Sequence, residues 1–258
     1  MMRVRHNVSY SAHDPDSRLM DIWQPKERNG AAILFIHGGG WEKGDKMHFA
    51  DLAKWFAEHG YLCASMNYRL SQQAIYPAAI EDARLAVQYL RERTAEYGFD
   101  SGKLAVVGSS AGGYLAAMLA LIDPEDELGR TEELRMRDTR PNAAALYCPV
   151  TTLHKDQNFI RKFMGAAEAD APDLYREGSP MDRIKGKSIP WLIVQGDRDK
   201  TTPLEDAQAF VRKLAAAGSR AELLTLAGVG HGFGYGIESE AQRQACRGVL
   251  RFLQSVFA

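Results

Sequence analysis

The sequence predicts an α/β protein in which eight strands form a central, mostly parallel sheet covered by helices on both faces. Three observations carry that expectation. Six short runs are apolar almost throughout, as strands buried on both faces are, and they alternate with longer stretches in which apolar residues return at helical spacing. Two further runs near the start are separated by the turn-rich segment His13-Asp14-Pro15-Asp16-Ser17, which suits an antiparallel hairpin. The 258 residues are 45% hydrophobic and 25% charged, with no internal repeat or low-complexity linker, so residues 1–258 are expected to share one core as a single domain.

Taken in chain order, residues 4–9 and 19–23 form the hairpin at one edge of the sheet. The run 33–36 is a core strand that stops at a glycine cluster, and 47–59 has helical period. Residues 62–66 give the next strand and 78–96 the next helix. Strand 104–107 leads into helix 112–122, after which 123–141 mixes charges of both signs and reads as a solvated excursion. Strand 144–147 is followed by a long insertion over 150–188 that carries Phe159, Phe163, Met164, Tyr175 and Met181. An insertion of that size, rich in apolar residues, is expected to be a lid or a substrate wall. Strand 192–194, helix 204–217, strand 223–226 and helix 239–257 complete the alternation.

Composition excludes several function classes. Thirty-two Lys and Arg face 33 Asp and Glu, a net charge of −1, so the cationic excess that displaces counterions from nucleic acid is missing. No apolar run approaches the roughly 20 residues of a membrane span, and the first residues contain no apolar signal region. Cys63, Cys148 and Cys246 are odd in number and lack a CxxC pair, which suits buried thiols in a reducing, cytoplasmic compartment. A small molecule is the expected partner, with no nucleic acid and no membrane; the last helix and the edge strands are where a homodimer would form.

The chemistry concentrates in four loops. Gly108-Ser109-Ser110-Ala111-Gly112 is a G-x-S-x-G string between a strand and an apolar helix, the turn that exposes a serine at its tip. His37-Gly38-Gly39-Gly40-Trp41 follows an earlier strand, and with seven His and 23 Gly in the chain an HGGG string has a chance frequency of roughly 0.005. Consecutive glycines let backbone N–H groups converge on a developing oxyanion, for which the amides of Gly39, Gly40 and Ala111 are the candidates. A serine nucleophile needs a base and an acid that orients it. His231, in the glycine-rich stretch before the last helix, stands where the order Ser, acid, His places the base. Asp199 and Asp197 both follow the strand at 192–194, with Asp199 the better placed at the crest of the turn. No His or Cys stands near that pair at ligand spacing and HExxH is absent, so neither a metal nor another cofactor is expected.

These segments together resemble the serine esterases of the α/β-hydrolase fold that carry an HGGG loop. More narrowly they are similar to the small bacterial feruloyl- and acetylxylan-esterase-like group, related to the hormone-sensitive-lipase-like esterases. The resemblance takes in His37-Gly38-Gly39-Gly40-Trp41 with Gly44-Asp45-Lys46, Asn67-Tyr68-Arg69-Leu70, Tyr76-Pro77, residues 108–113, Ser179-Pro180 and His231-Gly232-Phe233. It implies Ser110 as nucleophile, Asp199 as acid and His231 as base. The acid motif in such enzymes is often H-G-x-x-D-x-x-V-P; here Gln195 and Thr202 replace the His and Val, while Gly196, Asp199 and Pro203 are kept.

The expected activity is a serine carboxylesterase acting on short-chain acyl or aryl esters through an acyl-serine intermediate, with carbohydrate acetyl and feruloyl esters in range. Trp41, Tyr68, Phe159 and Phe163 are the candidate substrate walls. An arylformamidase or amidase on the same triad is the alternative, since His37–Trp41 also satisfies the looser HGG-x-W pattern. A hydrolase fold reduced to ligand binding is the remote one.

Overall fold

The computed structural model describes residues 2–258. Eight strands form one sheet in the order β1-β2-β4-β3-β5-β6-β7-β8. Strands β1 (Arg3–Ser9) and β2 (Leu19–Gln24) pair antiparallel at the edge, and β2 pairs antiparallel with β4 (Leu62–Met66). All remaining pairs are parallel: β3 (Ala32–Ile36), β4, β5 (Leu104–Ser109), β6 (Ala143–Tyr147), β7 (Trp191–Gly196) and β8 (Ala221–Leu226). The chain has the α/β-hydrolase architecture that the sequence implied.

Side chains alternate across the pleat, and so each central strand feeds two cores. Leu34 and Ile36 join one cluster with Leu85, Leu115 and Phe210, under α2 (Ala78–Arg91), α4 (Ala111–Leu121) and α8 (Leu204–Ala216). Ile33 and Phe35 join the other with Phe56, Val249 and Phe252, under α1 (Ala50–Glu58) and α9 (Glu240–Phe257). Helix α4 is buried on all sides from Ala111 to Ala120, so nothing on its surface competes with its role as the platform behind the β5 turn.

Local chemistry sets several boundaries. The stretch 47–59 begins as a 3-10 turn, Lys46–Phe49, whose first free amide at Met47 is taken by the Asp45 side chain at 2.8 Å. The expected helix 78–96 is two helices, α2 and the short α3 (Thr94–Tyr97), parted at Glu92 and Arg93. The excursion 123–141 is irregular, yet it is not simply solvated: buried Arg84 donates to Leu128 O, Arg137 O and Thr139 Oγ1, and buried Gln88 holds Glu133, Arg135 and Met136. Within the insertion, α5 (Asn158–Met164), α6 (Pro172–Gly178) and α7 (Pro180–Arg183) sink Ile160, Phe163, Met164 and Tyr175 into the larger core. In the described conformation it is a packed wall.

Parallel register brings the functional loops level. Ile36 lies opposite Gly108, Ser109 opposite Tyr147, and Gly196 opposite Leu226, so the segments after β3, β5, β7 and β8 emerge along one edge. Open parallel sheets place ligands there.

Candidate active site

Ser110 sits at the turn between β5 and α4 with φ 54° and ψ −116°, a conformation rare for a residue with a side chain. The glycines around it explain why the chain can turn so tightly. A Cβ on Gly108 would lie 2.2 Å from Gly112 O, and one on Gly112 would lie 2.0 Å from Ile36 O. The Ser110 N–H is held by Tyr147 O at 2.9 Å, which fixes the strained residue from the neighbouring strand.

His231 reaches Ser110 from the loop after β8: the Ser110 hydroxyl donates to Nε2 at 2.9 Å, and the Nδ1–H donates to Asp199 Oδ2 at 2.7 Å. Gly196 makes this approach possible, because a Cβ there would meet Val229 O at 2.2 Å. Asp197 has another job. Its carboxylate accepts the Gly228 N–H at 2.7 Å and so anchors the loop that carries His231.

Asp199 is buried and saturated with donors. Its Oδ1 accepts the N–H groups of Thr201 and Thr202 at 2.8 and 2.9 Å. Besides His231, its Oδ2 accepts Thr202 Oγ1 at 3.0 Å and Gln195 Nε2 at 3.1 Å. Burial alone would raise its pKa, but these donors and His231 hold the carboxyl below the usual range. Burial likewise disfavours a charged His231, and Asp199 and Cys148 together, by hydrogen bonding and charge, more than reverse that, raising the imidazole above its ordinary value. Gln195 and Thr202, the two departures from the common acid motif, are thus the side chains that clasp the acid.

The HGGG loop is braced from below. His37 is buried, and burial drives its pKa down to about 4, so it is neutral near pH 7 and its Nδ1–H donates to Gly38 O at 2.8 Å. Tyr68 stacks on His37 at 4.4 Å and donates to His37 O at 3.0 Å. Asn67 links the same segment to Asp45 and to the Lys46 N–H. The Gly38 N–H is taken by Tyr235 Oη at 2.7 Å. Gly39 and Gly40 have φ of 121° and 62°, and a Cβ on Gly39 would strike Lys43 O at 2.0 Å. Among the described residues no acceptor meets their N–H groups, and Ala111, first in α4, has no intrahelical acceptor. Gly39 and Gly40 line the same cavity as Ser110, and Ala111 directly follows it at the start of α4.

A cavity of about 650 Å³ opens onto Ser110, His231 and the glycine loop. Of the four aromatic walls expected from sequence, only Phe159 lines it, lying over Gly40. Trp41, Tyr68 and Phe163 are buried in the core instead, with Trp41 stacked on Phe163 at 4.2 Å between parallel rings. Apolar type marked them as inward-facing, and inward here means the core. Sequence reasoning missed Lys43, His48, Thr201 and Tyr235, which do line the cavity. Of these only Tyr235 had a signal, its place four residues after His231. It also missed Cys148, whose thiol stands with Asp199 and His231 although far from both in sequence.

A model of the BD-FAE family matches residues 20–214 of the chain. The chain belongs to the BD-FAE family. Esterase LipC of Mycobacterium tuberculosis is 30% identical over 246 residues, which cover 89% of this chain and 60% of LipC. Ethyl acetate hydrolase of Pseudomonas putida is 28% identical, over 88% of this chain and 74% of that protein. The chain spans about 60% of LipC and half of esterase LipQ, a second relative from Mycobacterium tuberculosis. Among solved structures, the butyrate-bound esterase Est2 of Thermogutta terrifontis superposes with a TM-score of 0.84 at 26% identity, covering 98% of this chain and 94% of that one. The same esterase phosphonylated by sarin gives 0.83 at 27% identity, covering 98% and 95%. The similarity of this BD-FAE member to Est2 therefore runs over nearly the whole of both chains.

Proposed function

We propose that this protein is a serine carboxylesterase for short-chain acyl esters, working in the cytoplasm, where its three buried free thiols would stay reduced. The observation that carries the reading is the unbroken line from Ser110 Oγ through His231 to Asp199, at 2.9 and 2.7 Å. His231 takes the Ser110 proton on Nε2 as Oγ attacks the ester carbonyl, and Asp199 holds the Nδ1 proton and stabilises the imidazolium. The carbonyl oxygen gains its charge among the N–H groups of Gly39, Gly40 and Ala111, which need no rearrangement to receive it. The imidazolium gives its proton to the departing alkoxide, leaving an acyl-Ser110 ester. Water then repeats the sequence, with His231 again as base, and releases the acid.

Two facts support the short acyl range. Phe159 stands over Gly40 beside the glycine loop and puts an aromatic ring on the wall of the cavity. Est2, similar along the whole chain, has been solved with butyrate and with propionate bound.

The test is hydrolysis of p-nitrophenyl acetate, butyrate and dodecanoate by the wild type and by Ser110→Ala. Turnover of the two short esters that disappears in the variant is expected. Faster cleavage of the dodecanoate would end the short-chain claim. Absence of ester turnover alongside hydrolysis of N-formylkynurenine would replace the esterase with an amidase. Acetylated and feruloylated sugars then define the alcohol side.

A further inference from the structure

Three different metal-binding groups meet at the acid. Cys148 Sγ, a carboxylate oxygen of Asp199 and a ring nitrogen of His231 lie within 4.8 Å of one another. The thiol and the carboxylate are buried, and His231 lines the open cavity. Hydrolysis as proposed uses Asp199 and His231 and leaves the thiol idle.

The placement of Cys148 is specific. It follows β6 with φ 38°, a backbone region that residues with side chains seldom occupy. Its N–H is held there by Val194 O at 2.9 Å, and its carbonyl lies 3.2 Å from Thr202 Oγ1, the hydroxyl that donates to Asp199. Strained backbone fixed by its surroundings gathers at functional sites. Its sulfur also lies 4.0 Å from Ser109 Oγ.

We infer that Cys148, Asp199 and His231 form a binding site for a borderline-soft divalent cation, Zn²⁺ above all, and that filling it switches the enzyme off. Thiolate, imidazole and carboxylate are the donor set that Zn²⁺ takes. Thiolate and carboxylate together neutralise the two positive charges, which a buried location requires. The hydrated cation exchanges water for the three ligands, while the Cys148 thiol releases one proton to solvent and the His231 ring moves its proton from Nδ1 to Nε2; nothing is oxidised or reduced. The proton displaced from Nδ1 is the one that joins His231 to Asp199 at 2.7 Å, so the cation and the catalytic hydrogen bond exclude each other. Zn–N and Zn–O bonds of about 2.0–2.2 Å require the two atoms to move apart. A Cβ on Gly228 or on Gly232 would meet nothing within 4 Å, so the chain near His231 is not packed against other atoms at those two points.

The binding does not depend on the esterase reading; only the loss of hydrolysis does. The test therefore uses Cd²⁺, whose thiolate complexes absorb in the ultraviolet, followed by competition with Zn²⁺. The wild type should bind one equivalent with that absorption, release protons on binding, and bind more weakly as pH falls. Zn²⁺ should inhibit ester hydrolysis, with recovery on adding a chelator. Cys148→Ala and Cys148→Ser should keep hydrolysing, lose the absorption and need at least about tenfold more Zn²⁺ for inhibition. His231→Ala, a change in a surface loop, should weaken Cd²⁺ binding too. No absorption in the wild type, an absorption that survives in both Cys148 variants, or Zn²⁺ inhibition that is the same in all three proteins would each overturn the inference. In a protein that hydrolyses no ester, the absorption and its loss still decide the binding.

Discussion

Tyr235 Oη accepts the Gly38 N–H at 2.7 Å, so the loop that presents His231 also holds the glycine loop opposite it. The two halves of the site are therefore joined by one phenol. Removing it leaves a Gly38 N–H without its acceptor, a loss of about 1–3 kcal/mol for a buried donor. Tyr235→Phe should lower kcat on p-nitrophenyl acetate by about 10-fold or more, with KM changed little, because the glycine amides lose alignment in the transition state rather than in the bound ester. A KM effect with kcat intact would assign Tyr235 to substrate contact instead.

Ser110→Ala and His231→Ala should each reduce kcat by about 10⁴-fold to 10⁶-fold, and the double variant should fall no further, since members of a triad act as a unit. The decisive comparison is the double variant against the singles. Additive losses would mean that the two side chains do not share one proton transfer.

The pH dependence follows from the state of His231. The base must be neutral, so kcat/KM should rise with pH through the His231 pKa, which Asp199 and Cys148 together place above the ordinary histidine value despite burial. Asp199→Asn removes the charge that supports the imidazolium, and the acid limb should then move to lower pH while kcat falls by about 10⁴-fold. Profiles of both proteins between pH 5 and about 10 check this. An acid limb at the same pH in the two would exclude His231 as the group seen.

Phe159→Ala should widen the cavity beside Gly40. The ratio of dodecanoate to butyrate kcat/KM should rise by about 10-fold, in keeping with about 1–3 kcal/mol for apolar surface in a pocket. An unchanged ratio would place the acyl chain elsewhere.

Gly112→Ala would put a methyl group 2.0 Å from the Ile36 carbonyl oxygen, backbone against backbone. Neither partner can rotate away, and so stability should fall by about 3 kcal/mol or more. Denaturant midpoints of variant and wild type measure it. A midpoint within error of the wild type would mean that β3 and α4 can separate without loss.

How much was legible depended on how local each feature is. The strand-turn-helix around Ser110 could be read because the glycines at 108 and 112 are required by contacts within a few residues and the adjoining strand. The same holds for the hairpin at the sheet edge and for the parallel core, whose continuous apolar strands announce burial on both faces. The choice between Asp197 and Asp199 could be argued only from reach, and the structure separates them by partner: Gly228 for one, His231 for the other. Trp41 and Phe163 were misplaced because an aromatic residue next to a catalytic motif looks the same whether it faces ligand or core. Gln195, Thr202 and Cys148 were invisible as a group, since only the packing of β6 beside β7 brings them to one carboxylate.

The stack of Trp41 on Phe163 has an evolutionary reading. Trp41 ends the glycine loop, and Phe163 lies on α5 one helical turn from Phe159, which lines the cavity. A lineage that remodels α5 to admit a new acyl group also disturbs the ring on which the glycine loop rests. Substrate range and turnover are in this way mutationally linked, and even Phe159 lies inside the link, its ring 5.9 Å from that of Trp41.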